Sequence, residues 1–178
     1  MQGEDLESAR RIASLEPGDV HRVLEALRSS LLSERKKPEA PQPGDLSLVV
    51  FTDGASRGNP GEAACAVIVY DKEGSELLRR TRSLGTTTNN VAEYEGVILA
   101  LEIARELGAA ELQLKLDSEL VVKQLNKQYK IKNPKLGVLY SRASGLMEAF
   151  REVKVLHISR EENREADSLV NAALDGRD

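Results

Sequence analysis

At 178 residues the chain has room for one full domain and an appendage, and its 40% hydrophobic share marks a globular protein rather than a disordered one. A net charge of −4 excludes a broad basic coat for nucleic acid, and a single cysteine, Cys65, excludes an internal disulfide and fits a reducing compartment. No apolar run is long enough to span a bilayer and the acidic, polar N-terminus does not read as a signal peptide, so the expectation is a cytoplasmic protein with no membrane contact.

Residues 1–37 read as a helical hairpin. Asp5 to Leu15 forms a short helix, Glu-Pro-Gly-Asp turns the chain, and Val20, Val23, Leu24, Leu27 and Leu31 make the apolar stripe of a second helix. Some forty residues rarely bury a core unaided, so the hairpin is expected to pack on the main domain, on a protein partner or on a second copy. With seven basic and nine acidic residues through Asp45, it is a poor DNA-binding arm. Residues 38–45 are a Pro-rich linker: three prolines and a glycine in eight positions stop any helix or central strand.

From Leu46 to the C-terminus, residues 46–178, the pattern changes to that of a domain of strands and helices. Leu46–Thr52, Ala63–Tyr70 and Glu76–Leu84 are strand-like runs joined by short connections that suit antiparallel pairing. Val91–Leu107 is a helix apolar over most of its circumference, hence buried. Leu112, Leu114 and Leu116 alternate along a fourth strand, and Ser118–Leu125 reads as helix. Asn133-Pro134 supplies an N-cap and first position for the next helix. Val153–Ser159 is a fifth strand and Asn163–Leu174 a closing helix. The order βββαβααβα predicts an α/β fold with a mixed five-stranded sheet and flanking helices. Aromatics are only 3%, with no Trp, so its core must come from Val, Leu, Ile and Ala. Cys65 reads as one more small buried residue of it.

Four carboxylates stand at strand ends or helix starts: Asp53, Glu93, Asp117 and Asp167. Clustered acids hold hard divalent cations, since Mg²⁺ takes oxygen ligands and keeps positions open for substrate phosphates. Asp53 opens Asp-Gly-Ala-Ser-Arg-Gly-Asn-Pro-Gly, a nine-residue loop with more Gly and Asn than a hairpin turn needs. Glu93 fits two readings, a metal ligand or the third position of a capping box behind Asn90. Asp117 and Ser118 could each cap the helix after them, and Asp167 gains from a helix dipole whatever its role. Between Lys123 and Lys135 run five lysines, no acid and Tyr129, a patch suited to tracking phosphates or a solvated face.

Taken in this order on this scaffold, the Asp-Gly-…-Gly-Asn-Pro-Gly, Thr-Thr-Asn-Asn-…-Glu and Arg-Glu-Glu-Asn-Arg-Glu-Ala-Asp segments resemble type 1 ribonuclease H, in its compact prokaryotic branch, over Leu46 to about Leu174. The resemblance implies a ribonuclease H-like fold and a Mg²⁺-dependent endonuclease cutting the RNA strand of RNA–DNA hybrids, with two ions (Mn²⁺ a substitute) and 5′-phosphate and 3′-hydroxyl products. It implies that Asp53 bridges both ions, that Asp167 completes the site of the ion activating water, and that Glu93 and Asp117 hold the ion at the leaving 3′ oxygen. Gly54, Ala55, Asn59 and the Asn89 or Asn90 amide become readers of the 2′-hydroxyl. Thr88 and Asn89 match positions that grip a DNA phosphate. Ser118 and Lys127, Lys130 and Lys132 are further expected substrate contacts.

The chain departs from the family in three places. The loop His found in many members before the last Asp is missing, which leaves Arg160 as the nearest group to handle phosphate, or as a solvent-exposed arginine. His157 falls within the fifth strand and reads as structural. Glu119 stands where some relatives place a Gln, and the basic protrusion is reduced to the lysine stretch.

Overall fold

The computed structural model describes residues 46–176. The predicted hairpin at 1–37 and linker at 38–45 lie outside the described residues. Five strands, β1 (Ser47–Ser56), β2 (Gly61–Asp71), β3 (Glu76–Thr87), β4 (Glu111–Leu116) and β5 (Glu152–His157), form one sheet in the order β3-β2-β1-β4-β5. The first three pair antiparallel, and β1–β4 and β4–β5 pair parallel. Four helices complete the expected order: α1 (Asn89–Glu106), α2 (Glu119–Leu125), α3 (Pro134–Met147) and α4 (Arg164–Leu174).

The period-2 geometry of β2 explains its unbroken apolar run. Cys65, Val67 and Val69 join the main core with Leu48 and Val50 of β1 and Tyr94, Val97, Ile98 and Leu101 of α1, while Ala64 and Ala66 point the other way, toward Val170 of α4. Both faces of β2 are thus covered, as a run without polar alternation requires. Helix α1 is buried nearly all round because α3 covers its outer side. The buried Tyr94 hydroxyl is satisfied: it donates to Gln124 Oε1 at 2.8 Å. Cys65 is fully buried and its thiol is pushed up to about 12 by that burial, which fits an inert core residue.

Two local expectations need correction. The segment after Thr52 is not a nine-residue loop: β1 continues through Ser56, pairing Asp53 with Ala66, Gly54 with Cys65 and Ser56 with Ala63, so that only Arg57–Pro60 is left to turn. Small residues make this possible, since Gly54 lies against the backbone of Ala92 and Glu93 and Ala55 packs on the α4 cluster. Helix α1 begins at Asn89, so Asn90 is inside it and the N-cap is Thr88, whose side chain makes no capping bond. Asn133 does cap α3, accepting from the N–H groups of Lys135 at 2.9 Å and Leu136 at 3.4 Å.

Candidate metal centre

The parallel pairing of β1 and β4 sets Phe51 opposite Lys115. Two residues further along each strand come Asp53 and Asp117, side by side at the same end of the sheet. The N-terminal part of α1 lays Glu93, its fifth residue, beside them, and one carboxylate oxygen from each of Asp53, Glu93 and Asp117 lies within 4.8 Å of the others. Asp53 is 6% and Glu93 7% exposed.

The two buried acids of the three, Asp53 and Glu93, resist ionising. Burial, and then the charges of Asp117 and Asp167, push the Asp53 carboxyl up to about 7. Burial first, then Asp53 and Asp117, holds Glu93 well above the ordinary carboxylate range. The Gly54 N–H opposes both shifts. Glu93 Oε2 is buried with no hydrogen-bond partner. With Thr88 as the N-cap the third helical position is Val91, so Glu93 does not stand where a capping-box glutamate would. Ser118 is the N-cap of α2 but makes no side-chain capping bond, and Asp117 precedes it.

Asp167 lies outside the three-acid group but faces the same pocket. That pocket, about 360 Å³, is lined by all four carboxylates. Asp167 Oδ1 accepts from Arg160 Nη2 at 2.9 Å, and Asn171 Nδ2 reaches Asp167 Oδ2 at 3.3 Å. Arg160 is therefore at the site, three-quarters exposed and ion-paired with Asp167 rather than with Glu161 or Glu162. His157 ends β5 and its Nε2 donates to the Asp117 carbonyl at 3.2 Å.

Of the expected substrate contacts, Gly54, Ala55, Asn89 and Arg160 line the pocket. Asn59 does not, but its Oδ1 accepts from the Asn89 N–H at 3.2 Å and ties the hairpin turn to the start of α1. Thr88, Asn90, Ser118, Lys127, Lys130 and Lys132 lie outside the lining. The three lysines are exposed between α2 and α3, where the chain turns through Lys127 at φ 60°, so the patch is a surface loop and not a helix face. Ser56, Arg57, Asn171 and Leu174 line the pocket without having been singled out in the sequence. For Asn171 a signal existed: it stands one helical turn after Asp167. A second cavity of about 370 Å³, floored by Val49, Phe51, Ile68 and Tyr70, is touched by none of the four carboxylates.

The donor set fits a hard divalent cation. Ligands on one Mg²⁺ with bonds of about 2.1 Å stand about 3–4 Å apart, so modest side-chain rotations bring the three acids onto one ion. A bound cation also gives the unpartnered Glu93 oxygen a partner and relieves the mutual repulsion.

This strand order, with one acid within β1 and another just past the end of its parallel neighbour β4, defines a ribonuclease H-like domain. The reverse-transcriptase-like family model matches residues 51–173. A ribonuclease HI of Halobacterium salinarum is 34% identical over 168 residues, covering 89% of this chain and 81% of that one. The crystal structure of the same organism's ribonuclease H1 superimposes with a TM-score of 0.72 at 38% identity, over 73% of this chain and 98% of that one. A bifunctional protein of Mycobacterium tuberculosis is 40% identical over 131 residues, 73% of this chain. The chain spans only 36% of that mycobacterial relative's length. The LC11 ribonuclease H1, solved in complex with an RNA/DNA hybrid, gives a TM-score of 0.69 at 38% identity, over 72% of this chain and 97% of that one. The chain belongs to the type 1 ribonuclease H (ribonuclease HI) family. Among the described residues no helix is long and apolar enough to cross a membrane.

Proposed function

We propose that this protein hydrolyses the RNA strand of RNA–DNA hybrids at the Asp53–Glu93–Asp117–Asp167 pocket, leaving 5′-phosphate and 3′-hydroxyl ends. The observation that carries the reading is the convergence of three carboxylates within 4.8 Å, one with an unpartnered buried oxygen. Family membership and the hybrid complex of the LC11 enzyme support the substrate. Asp53, Glu93 and Asp117 would hold one Mg²⁺, and Asp53 with Asp167 a second. When bound, such a pair of ions polarises the phosphodiester, activates water and steadies the leaving oxygen. The chain's own contribution is to fix the acids on rigid elements before substrate arrives, so little reorganisation is left for the reaction itself. Gly54, Ala55 and Asn89 line the pocket and would read a 2′-hydroxyl, the group that separates RNA from DNA.

The decisive experiment incubates end-labelled hybrid, double-stranded RNA and double-stranded DNA with the full chain, with and without Mg²⁺. Cleavage of hybrid RNA alone, only with metal, is expected. Cutting of DNA duplex, or of hybrid in excess chelator, would overturn the reading.

Two further results are expected of the same assay. Replacing Lys127, Lys130 and Lys132 by Ala should raise KM with kcat little changed and flatten the dependence of binding on salt, since each lost phosphate contact releases about one counterion fewer. An unchanged salt slope would reduce the patch to solvated surface. Arg160→Ala should lower kcat and slow multiple turnover more than the first turnover. An arginine paired with Asp167 at the pocket rim can exchange that carboxylate for the new 5′-phosphate and help it leave. Equal loss in both phases would place Arg160 in the chemical step instead.

A further inference from the structure

Asn163 stands at the N-cap of α4, yet its side chain makes no capping bond. That choice forgoes about 1 kcal/mol of helix stabilisation. The side chain turns inward instead and is 1% exposed. Its Nδ2 donates to the Thr52 carbonyl at 3.1 Å and to Asp117 Oδ1 at 2.9 Å. Both partners are pure acceptors, so the amide can sit only one way round. That orientation leaves Asn163 Oδ1 buried with no partner, a state costing about 1–3 kcal/mol. Two sacrifices at one residue argue that stability alone does not account for its side chain.

Its connections say what does. The Thr52 carbonyl belongs to the peptide that enters Asp53, and Asp117 is held directly. The Asn163 carbonyl accepts from the Asp167 N–H at 3.0 Å, the first bond of the turn that carries Asp167. One buried residue therefore joins β1, the end of β4 and the start of α4, and touches the segments of three of the four carboxylates.

We propose that Asn163 is a positioning residue for the metal centre, which holds the Asp117 carboxylate at a fixed distance and rotation from Asp53. The proposal rests on the metal-binding reading of the pocket. A carboxylate steadied by a buried donor loses little freedom when a cation arrives, and removing such outer partners typically weakens metal affinity by about 10–100-fold.

The test is calorimetric titration of the full chain with Mn²⁺, apart from any turnover, on wild type, Asn163→Ala and Asn163→Ser. Asn163→Ala should bind Mn²⁺ about 10–100-fold more weakly, and the Mg²⁺ concentration for half-maximal cleavage should rise by a similar factor. Hybrid affinity in chelator should stay unchanged. Asn163→Ser keeps one buried hydroxyl donor, so it should lose less, and it carries the test should the alanine variant fail to fold. A folded variant with lower Tm and wild-type Mn²⁺ affinity overturns the proposal and leaves Asn163 as packing. A wild-type chain that binds no Mn²⁺ overturns the proposed function itself, so the two failures are told apart.

Discussion

Asp53→Asn is expected to abolish hybrid cleavage while leaving a folded and, above neutral pH, more stable protein. The loss should be on the order of 10³-fold or more, because even outer partners of a metal ligand are worth about 10–100-fold and Asp53 is a ligand at the centre of the cluster. The stability gain follows from linkage. The folded-state value of about 7 lies above the ordinary 3.8, so between those values the folded chain holds a proton that the unfolded chain has released. The favourable contribution of the neutral carboxyl is complete below about pH 4 and is lost as pH rises through 7. Above that, wild type bears a buried charge beside Asp117 and Glu93, which Asn does not. In chelator at pH 8 the variant should be the more stable by up to about 4 kcal/mol, since the two values lie about three pKa units apart and each is worth 1.36 kcal/mol, and at pH 4 the difference should close. Melting curves at both pH values check this. Saturating Mg²⁺ at pH 8 should raise the Tm of wild type more than that of the variant, because only wild type has the charge for the cation to neutralise. Near-wild-type turnover in the variant would sink the metal assignment.

Much of the domain was legible in the sequence, and what was not has definable causes. Strand and helix types followed from apolar patterning because β2, covered on both faces, carries an unbroken apolar run, and α1 is apolar over most of its circumference. The acids could be picked out because each stands in a segment of Gly, Asn, Ser or Thr that breaks the apolar pattern, although Asp53 proves to lie within β1 rather than at its end. Deciding between ligand and cap for Glu93 needed space: the choice turns on Gly54 letting β1 run under α1, which a Gly-rich segment also permits as a loop. The same ambiguity hid the true end of β1, since Gly54, Ala55 and Ser56 have poor strand propensity and are held in the ladder by tertiary packing. Arg160 could be named from its distance to Asp167 along the chain, but its pairing with that carboxylate rather than its glutamate neighbours needed the bend before α4. Asn163 read only as the first residue of the closing helix, and nothing local says that its side chain turns inward.

Gly54→Ala should damage both stability and turnover, and it isolates the contact that brings Asp53 and Glu93 together. A Cβ at Gly54 would lie 2.2 Å from the Ala92 carbonyl carbon, 2.2 Å from the Glu93 nitrogen and 2.5 Å from the Ala92 oxygen. All three are backbone atoms, so no side chain can rotate away, and carbon contacts want about 3.5–4.0 Å. The first turn of α1 must therefore move off β1 by more than 1 Å. That turn is tied down by the burial of Ala92, Tyr94, Val97 and Ile98 against the sheet, so the shift opens packing along the helix. Overpacking of this kind costs about 1–3 kcal/mol or more. It also carries Glu93 away from Asp53 and Asp117, and a misplacement of about 1 Å in a catalytic group costs on the order of 10²-fold. Gly145→Ala is the matching control, because a Cβ there meets nothing within 4 Å. In the interior of α3 that change should stabilise by about 0.5–1 kcal/mol and leave kcat alone. Chemical denaturation and hybrid turnover, measured on both variants, should move in opposite directions for stability and only in Gly54→Ala for activity. Wild-type kcat in a folded Gly54→Ala protein would show that Glu93 need not be held against Asp53, and the two-ion arrangement proposed for the pocket would then have to be redrawn around Asp53, Asp117 and Asp167 alone.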